Sequence, residues 1–237
     1  MNVICIPVYL DNMRVADNKK PLWMKAGKSL LRYTFEAACR ARKFDRIMIA
    51  TNSGEIEQHV SSWGAQVVRS EAEHSNGTRR VAEAVYRTAN CAEVIVNLQL
   101  NEPEMPGAYL DALVSGVGKA GSITTLAAPF PELDSSDKNT VKVIVSKAGR
   151  ALYFTRSIMA GAKQHLGCYG FKVQHLERIA DMPTSAIATA ERLEQLEWID
   201  NGMEVSVIRV DRGCSAINTE EDWERWQPPT DENRVII

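Results

Sequence analysis

The fold of this chain is decided by one stretch, Val94-Ile-Val-Asn-Leu-Gln-Leu-Asn-Glu-Pro-Glu-Met-Pro106. It begins with β-branched residues, which are typical of a strand buried on both faces. Polar residues follow where that strand should end, and Pro106 is placed to open a helix over Gly107–Val117. In an open α/β sheet, ligands bind beyond the carboxyl ends of the strands. The stretch therefore marks a candidate site, although a polar strand-to-helix loop without chemistry fits the same residues.

Strands and helices alternate on the amino-terminal side of this stretch. Apolar runs predict strands at Asn2–Pro7, Arg46–Ala50 and Gln66–Arg69. A helix capped by Ser29 and a helix over Glu55–Trp63 separate these strands. This is the spacing of βαβ units, which places consecutive strands parallel. The sequence therefore predicts an α/β fold, with a mostly parallel sheet and helices on both of its faces.

The carboxyl-terminal half adds further elements to the same domain. They are predicted as strands at Ser122–Ala127, Val141–Val145, Arg150–Arg156 and Glu204–Val210, a helix from Thr184 or Ser185 to Gly202, and a last helix capped by Thr219. Two glycines within Gln164–Phe171 indicate a bulge or a close backbone contact. We expect a single domain over residues 1–227 and a frayed tail over residues 228–237.

Composition excludes several classes of function. The chain has 237 residues, 45% of them apolar, and a net charge of −2, so no basic field points to nucleic acid or to an acidic membrane. The amino terminus lacks the pattern of a signal peptide, and no apolar run is long enough to span a bilayer. Five cysteines without a CxxC pair are typical of reduced thiols, mostly in a core, with no zinc site. We therefore expect a cytoplasmic protein.

A second candidate site lies at the segment Asn76-Gly-Thr-Arg-Arg80. Asn76-Gly77 is a turn signal, and Thr78 is expected to cap the helix that follows. Arg79 and Arg80 stand in the first helical turn, where cations oppose the helix dipole. One interpretation is an anion site made of free N–H groups, a glycine and two cations. The other interpretation is a solvated first turn, and the residues alone do not separate the two.

Ordered motifs across nearly the whole chain carry a resemblance to a known family. They are Lys20-Pro21-Leu22; His74 with Gly77-Thr78, Arg80 and Ala82-Glu83; Val96-Asn97, Gln99 and Glu102-Pro103; Val141-Lys142-Val143; Ala151-Leu152-Tyr153-Phe154 and Arg156; His165-Leu166-Gly167 and Tyr169-Gly170; Glu191 and Leu193-Glu194-Gln195-Leu196; and Thr219 with Glu221-Asp222. In these motifs the chain resembles the CMP-Kdo synthetases, which are cytidylyltransferases that activate a 3-deoxy-octulosonic acid with CTP.

The resemblance implies a nucleotidyltransferase-like fold in which a small β lobe, at about residues 129–175, builds a homodimer. It implies that CTP and a 3-deoxy-2-keto sugar acid give a CMP-sugar and pyrophosphate, as in the activation of lipopolysaccharide or capsule sugars. A generic sugar-phosphate nucleotidyltransferase is an alternative, but the His-Leu-Gly and Tyr-Phe-Thr-Arg segments favour a keto-acid sugar.

Site residues follow from the matched motifs. Arg14 and Lys20, in the first loop, are the expected catalytic cations. The resemblance implies that the nucleotide is bound by residues of the phosphate loop and of the central strand, namely Asn76, Gly77, Thr78, Arg79, Arg80 and Gln99. It implies that the sugar acid is bound by Tyr153, Arg156, His165 and Gln195. Arg156 is the expected partner of the carboxylate, and a purely structural role for His165 stays open.

The chain departs from the family at the expected metal site. The family holds Mg²⁺ with two aspartates, and these positions are Asn101 and Asn218 here. A charge pair a few ångströms apart is worth about 4 kcal/mol at an effective dielectric near 20, so losing both carboxylates should weaken metal binding strongly. Glu102 is a candidate substitute, although it lies one residue further on. We therefore expect Mg²⁺ binding to be weak or absent.

Two explanations of this departure stay open. In the first, the protein is a nucleotidyltransferase with an altered site, in which Lys20, Arg79 and Arg80 take over charge that the metal neutralised. In the second, the protein is an inactive homologue that binds a nucleotide, a sugar acid or a regulatory partner. The well-kept framework around the site favours an enzyme.

Overall fold

A computed structural model gives the structure of the chain and describes residues 1–10, 19–70, 74–89, 91–120, 123–130 and 137–229. The strands are β1 (Asn2–Val8), β2 (Met24–Lys25), β3 (Lys28–Ser29), β4 (Arg46–Thr51), β5 (Gln66–Arg69), β6 (Val94–Leu98), β7 (Ile123–Ala128), β8 (Lys142–Val145), β9 (Ala151–Thr155), β10 (Lys163–Phe171) and β11 (Val205–Arg209). The helices are α1 (Leu30–Ala38), α2 (Gly54–Val60), α3 (Gly77–Thr88), α4 (Gly107–Ala120), α5 (Val173–Ala180), α6 (Ala186–Glu191), α7 (Gln195–Asp200) and α8 (Glu220–Arg225), with a short 3₁₀ helix at Lys20–Leu22.

The main sheet has the strand order β11-β7-β10-β6-β1-β4-β5. Strand β1 pairs in parallel with β4 and β6, and β4 with β5. Strand β7 pairs in parallel with β11, whereas β10 runs antiparallel between β6 and β7. The predicted mostly parallel α/β sheet is confirmed. The antiparallel β10 lies directly beside β6. Its glycine-containing segment therefore lies next to the loop that follows β6.

Alternate residues of the central strand face two separate cores, which shows that helices cover both sheet faces. Val3 and Cys5 of β1 belong to one core, together with residues of α3, α5, α6 and α7. Ile4, Ile6 and Val8 belong to the other core, together with residues of α1, α2 and α4. Side chains alternate between the two faces of a strand, so an uninterrupted apolar strand needs helices on both sides.

Helix starts follow the local chemistry of capping, with one correction. Ser29 caps α1 by accepting from the Arg32 N–H, and Thr219 caps α8 in a capping box with Asp222, as the sequence predicts. Helix α3 is capped by Asn76 rather than by Thr78, so the helix begins two residues earlier than expected. Because the cap role falls on Asn76, the Thr78 hydroxyl is available for a contact elsewhere.

The predicted helix from Thr184 or Ser185 to Gly202 is wrong as a single element. Ser185 does cap a helix, but that helix ends at Arg192, whose φ of +56° is left-handed. The chain then starts again as α7. A left-handed residue interrupts the helical ladder, and apolar periodicity alone does not reveal this break. The break places the segment 192–195 beside the carboxyl end of β6. Helix α5 was not predicted from the sequence.

The β8–β9 hairpin extends from the amino-terminal end of β10, where Lys163 pairs with Val143 and Gln164 with Lys142. The expected small lobe at about residues 129–175 includes this hairpin, but β10 itself continues into the main sheet. The extent of the lobe therefore stays a prediction. Residues 131–136 of the lobe, and residues 230–237 of the expected tail, lie outside the described part of the chain. Within the described residues, none of the helices combines the length and apolar character needed to cross a membrane.

Candidate active site

A cleft of about 510 Å³ opens at the carboxyl end of β6. One wall is the start of α3, with Asn76 and Gly77, and the opposite wall is the β10 bulge. The bulge is a register shift between Leu166 and Tyr169, which confirms the irregularity predicted from the glycines. Eight of the predicted site residues line the cleft: Asn76, Gly77, Gln99, Asn101, Arg156, His165, Gln195 and Asn218. The topology thus places both sequence-predicted sites in one cavity.

Gln99 and Glu194, which line the cleft, are joined to Asn97 and Thr78 by a chain of hydrogen bonds. The Asn97 amide, which is fully buried on β6, donates to the Thr78 hydroxyl at 2.9 Å. Gln99 Nε2 donates weakly to Asn97 Oδ1 at 3.4 Å. The Thr78 hydroxyl in turn donates to Glu194 Oε1 at 2.9 Å. Buried polar groups are costly unless they are paired, so this network holds the end of β6, the start of α3 and the segment 192–195 in one arrangement.

The amino terminus of α3 binds an anion that the chain itself supplies. Glu194 accepts from the Thr78 backbone N–H at 3.1 Å as well as from its hydroxyl. Burial raises the pKa of Glu194 to about 6, while both bonds from Thr78 act in the opposite direction. A helix amino terminus stabilises negative charge, so a carboxylate there is favourable. Glu194 was part of a quoted motif, but nothing in its spacing revealed this role.

Arg79 and Arg80 do not line the cleft. Arg79 donates to the carbonyl of Ala180 at 2.9 Å and to that of Met182, and forms an ion pair with Glu197 at 3.4 Å. Arg80 is buried and donates to the Ser70 hydroxyl. A contact of either guanidinium with a nucleotide would require it to exchange these partners, and that contact stays a prediction.

The first loop contributes Lys20 to the edge of the cleft. Lys20 is the first residue of the 3₁₀ helix and Pro21 the second, and the Lys20 ammonium donates to the Asn218 carbonyl at 3.0 Å. The 3₁₀ helix therefore places a cation next to the loop that precedes α8. Arg14, the other expected catalytic cation, lies outside the described residues.

Asn101 and Asn218 meet in the cleft, as their expected common role requires. The Asn101 amide nitrogen donates to Asn218 Oδ1 at 3.0 Å, so the loop after β6 is joined directly to the start of α8. Among the residues that the structure describes, no three His, Cys, Asp or Glu side chains group in a way that could hold a metal ion. Mg²⁺ in proteins is usually held through carboxylates together with substrate phosphates. The residues present here do not fit such a site.

Glu102 does not line the cleft, and its suggested role as a substitute metal ligand stays a prediction. Its side chain is 2% exposed, and its Oε1 accepts from the Gly167 N–H at 2.8 Å. Burial raises the pKa of Glu102 to about 7, while the bond from Gly167 acts in the opposite direction.

The expected sugar side of the cleft is built by β9, β10 and the start of α7. Arg156 follows β9 and donates to the Asn139 carbonyl at 3.0 Å. Glu191 accepts from the Arg156 N–H at 3.2 Å and from the Thr155 hydroxyl at 3.1 Å. Tyr153 also donates to Glu191, at 3.4 Å, and does not line the cleft. Glu191 therefore fixes the backbone at Arg156. Tyr153 contacts the same carboxylate, so it helps to position Arg156 and is not part of the cleft lining.

His165 lies in the cleft wall as a buried, neutral ring. Its Nε2 is 2.9 Å from the Thr125 hydroxyl, and Phe154 packs edge-on at 5.1 Å between ring centroids. Burial lowers its pKa to about 3. A neutral imidazole offers a hydrogen bond but no charge, so Arg156 is the cation on this side. Arg192 and Asn139 also line the cleft and were not predicted, since neither stands out by spacing.

Comparison with known proteins agrees with this architecture. The family model described as cytidylyltransferase matches residues 17–205. A 3-deoxy-manno-octulosonate cytidylyltransferase of Chlorobium phaeobacteroides is 33% identical over 94% of each chain. The enzyme of the same name from Synechococcus elongatus is 32% identical over 84% of this chain and 86% of its own. The chain therefore belongs to the cytidylyltransferase family.

Solved structures share the fold. A CMP:2-keto-3-deoxy-manno-octonic acid synthetase in complex with CTP aligns with a TM-score of 0.84 and 26% identity, covering 94% of this chain and 95% of that chain. A 4-diphosphocytidyl-2C-methyl-D-erythritol synthase aligns with a TM-score of 0.65 at 15% identity, covering 94% of each chain, which is a likeness of fold alone. The predicted nucleotidyltransferase-like fold is confirmed by the first of these structures.

Proposed function

We propose that the protein is a CMP-sugar synthetase, which joins CTP to a 3-deoxy-2-keto sugar acid of the 3-deoxy-manno-octulosonate type and releases pyrophosphate. The observation that carries the proposal is a single cleft lined on one wall by the start of α3 and on the other by Arg156, His165 and Gln195. Two substrates must lie side by side for transfer to occur, and a cleft with two different walls provides this.

The start of α3 supports nucleotide binding. A Cβ added to Gly77 would lie 3.2 Å from Pro7 Cγ and 3.3 Å from the Gln99 side chain, so the chain passes very close to the ends of β1 and β6 there. Lys20 supplies a nearby cation at the Asn218 loop. Ammonium groups are common partners of phosphate groups, whereas the Thr78 N–H at this helix start already binds Glu194. We place the triphosphate between Asn76-Gly77 and Lys20, with Gln99 on the floor.

The opposite wall supports binding of an acidic sugar. Glu191 fixes the backbone N–H of Arg156, and the Arg156 guanidinium donates to the Asn139 carbonyl. Guanidinium groups bind carboxylates in a planar, two-pronged manner. Gln195, which is 3% exposed, and the neutral His165 add hydrogen-bonding groups suited to hydroxyls. Arg156, with Arg192 as a second cation in the cleft lining, fits a sugar that carries a carboxylate.

In the proposed reaction, a sugar hydroxyl oxygen forms a bond to the α-phosphorus of CTP. The bond from that phosphorus to the bridging oxygen breaks, pyrophosphate leaves with the bonding electrons, and the hydroxyl proton passes to water. Such a transfer depends on positioning and on the neutralisation of phosphate charge. In this chain, Arg156, Gln195 and His165 orient the sugar, while Lys20 and the start of α3 hold the phosphates.

The alternative, an inactive homologue that only binds ligands, is not favoured. The relatives reported above carry the names of enzymes, and this chain matches them over most of its length. We further propose that the protein works in the cytoplasm. The buried free thiols of Cys5, Cys168 and Cys214 suit a reducing compartment.

The direct test incubates the protein with CTP and 3-deoxy-manno-octulosonate, with a related panel of 3-deoxy sugar acids beside it. Each mixture is assayed with Mg²⁺, with Mn²⁺ and with EDTA. Pyrophosphate is followed by a coupled assay and the CMP-sugar by mass spectrometry. We expect both products from the unaltered chain and strongly reduced product from Lys20→Gln. Lys28→Gln is the matched control, because Lys28 pairs with Glu36 outside the cleft. If no acid of the panel yields pyrophosphate, the proposed reaction is wrong.

A further inference from the structure

We propose that the triphosphate side of this cleft operates without a divalent cation held by protein carboxylates, and that the Lys20 ammonium, fixed beside the Asn101–Asn218 amide pair, takes the position of positive charge there. The proposal rests on the proposed function, because it concerns how the same cleft receives the nucleotide.

The side chains of Asn101 and Asn218 are hydrogen-bonded to each other. Asn101 donates to Asn218 Oδ1 at 3.0 Å, and Asn218 Nδ2 is 3.4 Å from the Asn139 carbonyl. The only side-chain oxygen of Asn218 thus accepts a hydrogen bond from Asn101. An amide oxygen carries no net charge, and this one already has one of its two lone pairs engaged. Neutral ligands also attract Mg²⁺ far less than carboxylates do.

Three carboxylates close to the pair in the described structure each accept a hydrogen bond from another group. Asp222 accepts from the N–H groups of Asn218 and Thr219, at 2.9 and 2.8 Å, as the capping box of α8. Glu104 accepts from the Trp226 indole at 2.9 Å. Glu102 accepts from Gly167 in the β10 bulge. None of these three acids lines the cleft, and Glu194 and Glu197, which do line it, are engaged with Thr78 and Arg79.

A cation is already placed at the pair. The Lys20 ammonium donates to the Asn218 carbonyl at 3.0 Å. Lys25, five residues after Lys20, donates to the carbonyls of Trp223, Glu224 and Trp226 at 2.5, 3.0 and 2.7 Å. Lys25 therefore holds the carboxyl end of α8, while Lys20 holds the loop before it. The 3₁₀ segment and α8 are therefore tied together by two lysines. A fixed ammonium repels a divalent ion at the pair and attracts a phosphate group.

The test compares the unaltered chain with Asn101→Asp/Asn218→Asp, which restores two carboxylates. The matched control is Gln58→Glu/Gln174→Glu, which adds the same charge at two exposed helix positions outside the cleft. Mn²⁺ binding to each protein alone is measured by electron paramagnetic resonance. CTP binding is measured by calorimetry in EDTA and in excess Mg²⁺. The single variant Asn101→Asp serves if the double variant does not fold.

We expect Mg²⁺ to change the CTP affinity of the unaltered chain by less than about threefold, and that of the double variant by at least about tenfold. We expect the double variant alone to gain Mn²⁺ affinity, while the control behaves like the unaltered chain. Lys20→Gln should weaken CTP binding in EDTA by about tenfold or more.

A strong Mg²⁺ dependence of CTP binding in the unaltered chain, or Mn²⁺ binding equal to that of the double variant, overturns the proposal. If CTP does not bind in any condition, the proposed function is overturned, and with it the role assigned to Lys20. The Mn²⁺ comparison does not involve nucleotide, so it still decides whether the amide pair is a metal site.

Discussion

The Glu102 carboxylate accepts a hydrogen bond from the backbone N–H of Gly167 at 2.8 Å, across a separation of 65 residues in sequence. On the other side of the same glycine, the Gly167 carbonyl accepts from the Gln99 N–H at 3.1 Å. The loop after β6 thus holds the β10 bulge by both of its peptide groups. Because the bulge carries His165 and Gly167 into the cleft, this contact sets the distance between the two walls of the site.

Gly167→Ala should disturb this contact. A Cβ at Gly167 would lie 2.7 Å from Glu102 Oε1, which is closer than side chains tolerate. We expect a loss of about 1–3 kcal/mol in the free energy of unfolding and a weaker affinity for the sugar acid. Urea unfolding and calorimetry measure the two effects. Gly54→Ala is the control, since nothing lies within 4 Å of its added Cβ, and it should leave both values nearly unchanged. Equal stability of the two variants would contradict the proposed tight contact.

Stability should fall in acid because of His165. Its pKa is about 3 in the folded protein against an ordinary value of 6.5, so the unfolded chain binds the proton more tightly. The stability contributed by the neutral ring is therefore complete above pH 6.5 and is lost as the pH falls toward 3. Between pH 7.5 and pH 5, the free energy of unfolding of the unaltered chain should fall by roughly 2 kcal/mol more than that of His165→Gln. Parallel pH profiles of urea unfolding for the two proteins would show that the ring is not held neutral.

Arg156→Gln tests the sugar side of the cleft. A hydrogen bond to a charged group contributes about 1.5–3 kcal/mol, so the affinity for the sugar acid should fall by roughly tenfold to a hundredfold. CTP affinity should change little, because Arg156 lies on the wall away from α3. Calorimetry with each substrate separates the two effects. Arg150→Gln is the matched control, since Arg150 pairs with Glu204 outside the cleft. A loss confined to CTP binding would reverse our assignment of the two walls.

The expected homodimer can be tested on the exposed apolar side chains near β9. Leu152 is 56% exposed and Ile158 is 67% exposed, both within the expected lobe. Exposed large apolar side chains are typical of an interface where they form one patch. We expect the unaltered chain to sediment as a dimer and Leu152→Lys/Ile158→Lys to shift it to a monomer. Tyr86→Lys, which replaces an exposed aromatic residue on α3, should stay dimeric. If the unaltered chain is a monomer at micromolar concentration, the expected homodimer is contradicted.

The sequence anticipated the elements whose signals are local. The strand at Val94–Leu98, the Ser29 and Thr219 caps and the β10 bulge were all predicted, because they depend on neighbouring residues only. The α6–α7 region was predicted as a single helix, since its apolar periodicity continues through Arg192 and does not report the left-handed φ. The start of α3 was placed two residues late, because both Asn76 and Thr78 are good caps.

By itself, the sequence determined the α/β class, the order of the elements and the motifs that the chain shares with cytidylyltransferases. Only the tertiary structure decided where the site side chains point. Thr78 meets Glu194 across 116 residues, Arg79 meets Glu197 across 118, and Asn101 meets Asn218 across 117. The physical reason is that propensity and capping act over one or two turns. The partner of a buried polar group is chosen by whichever distant segment the sheet brings beside it.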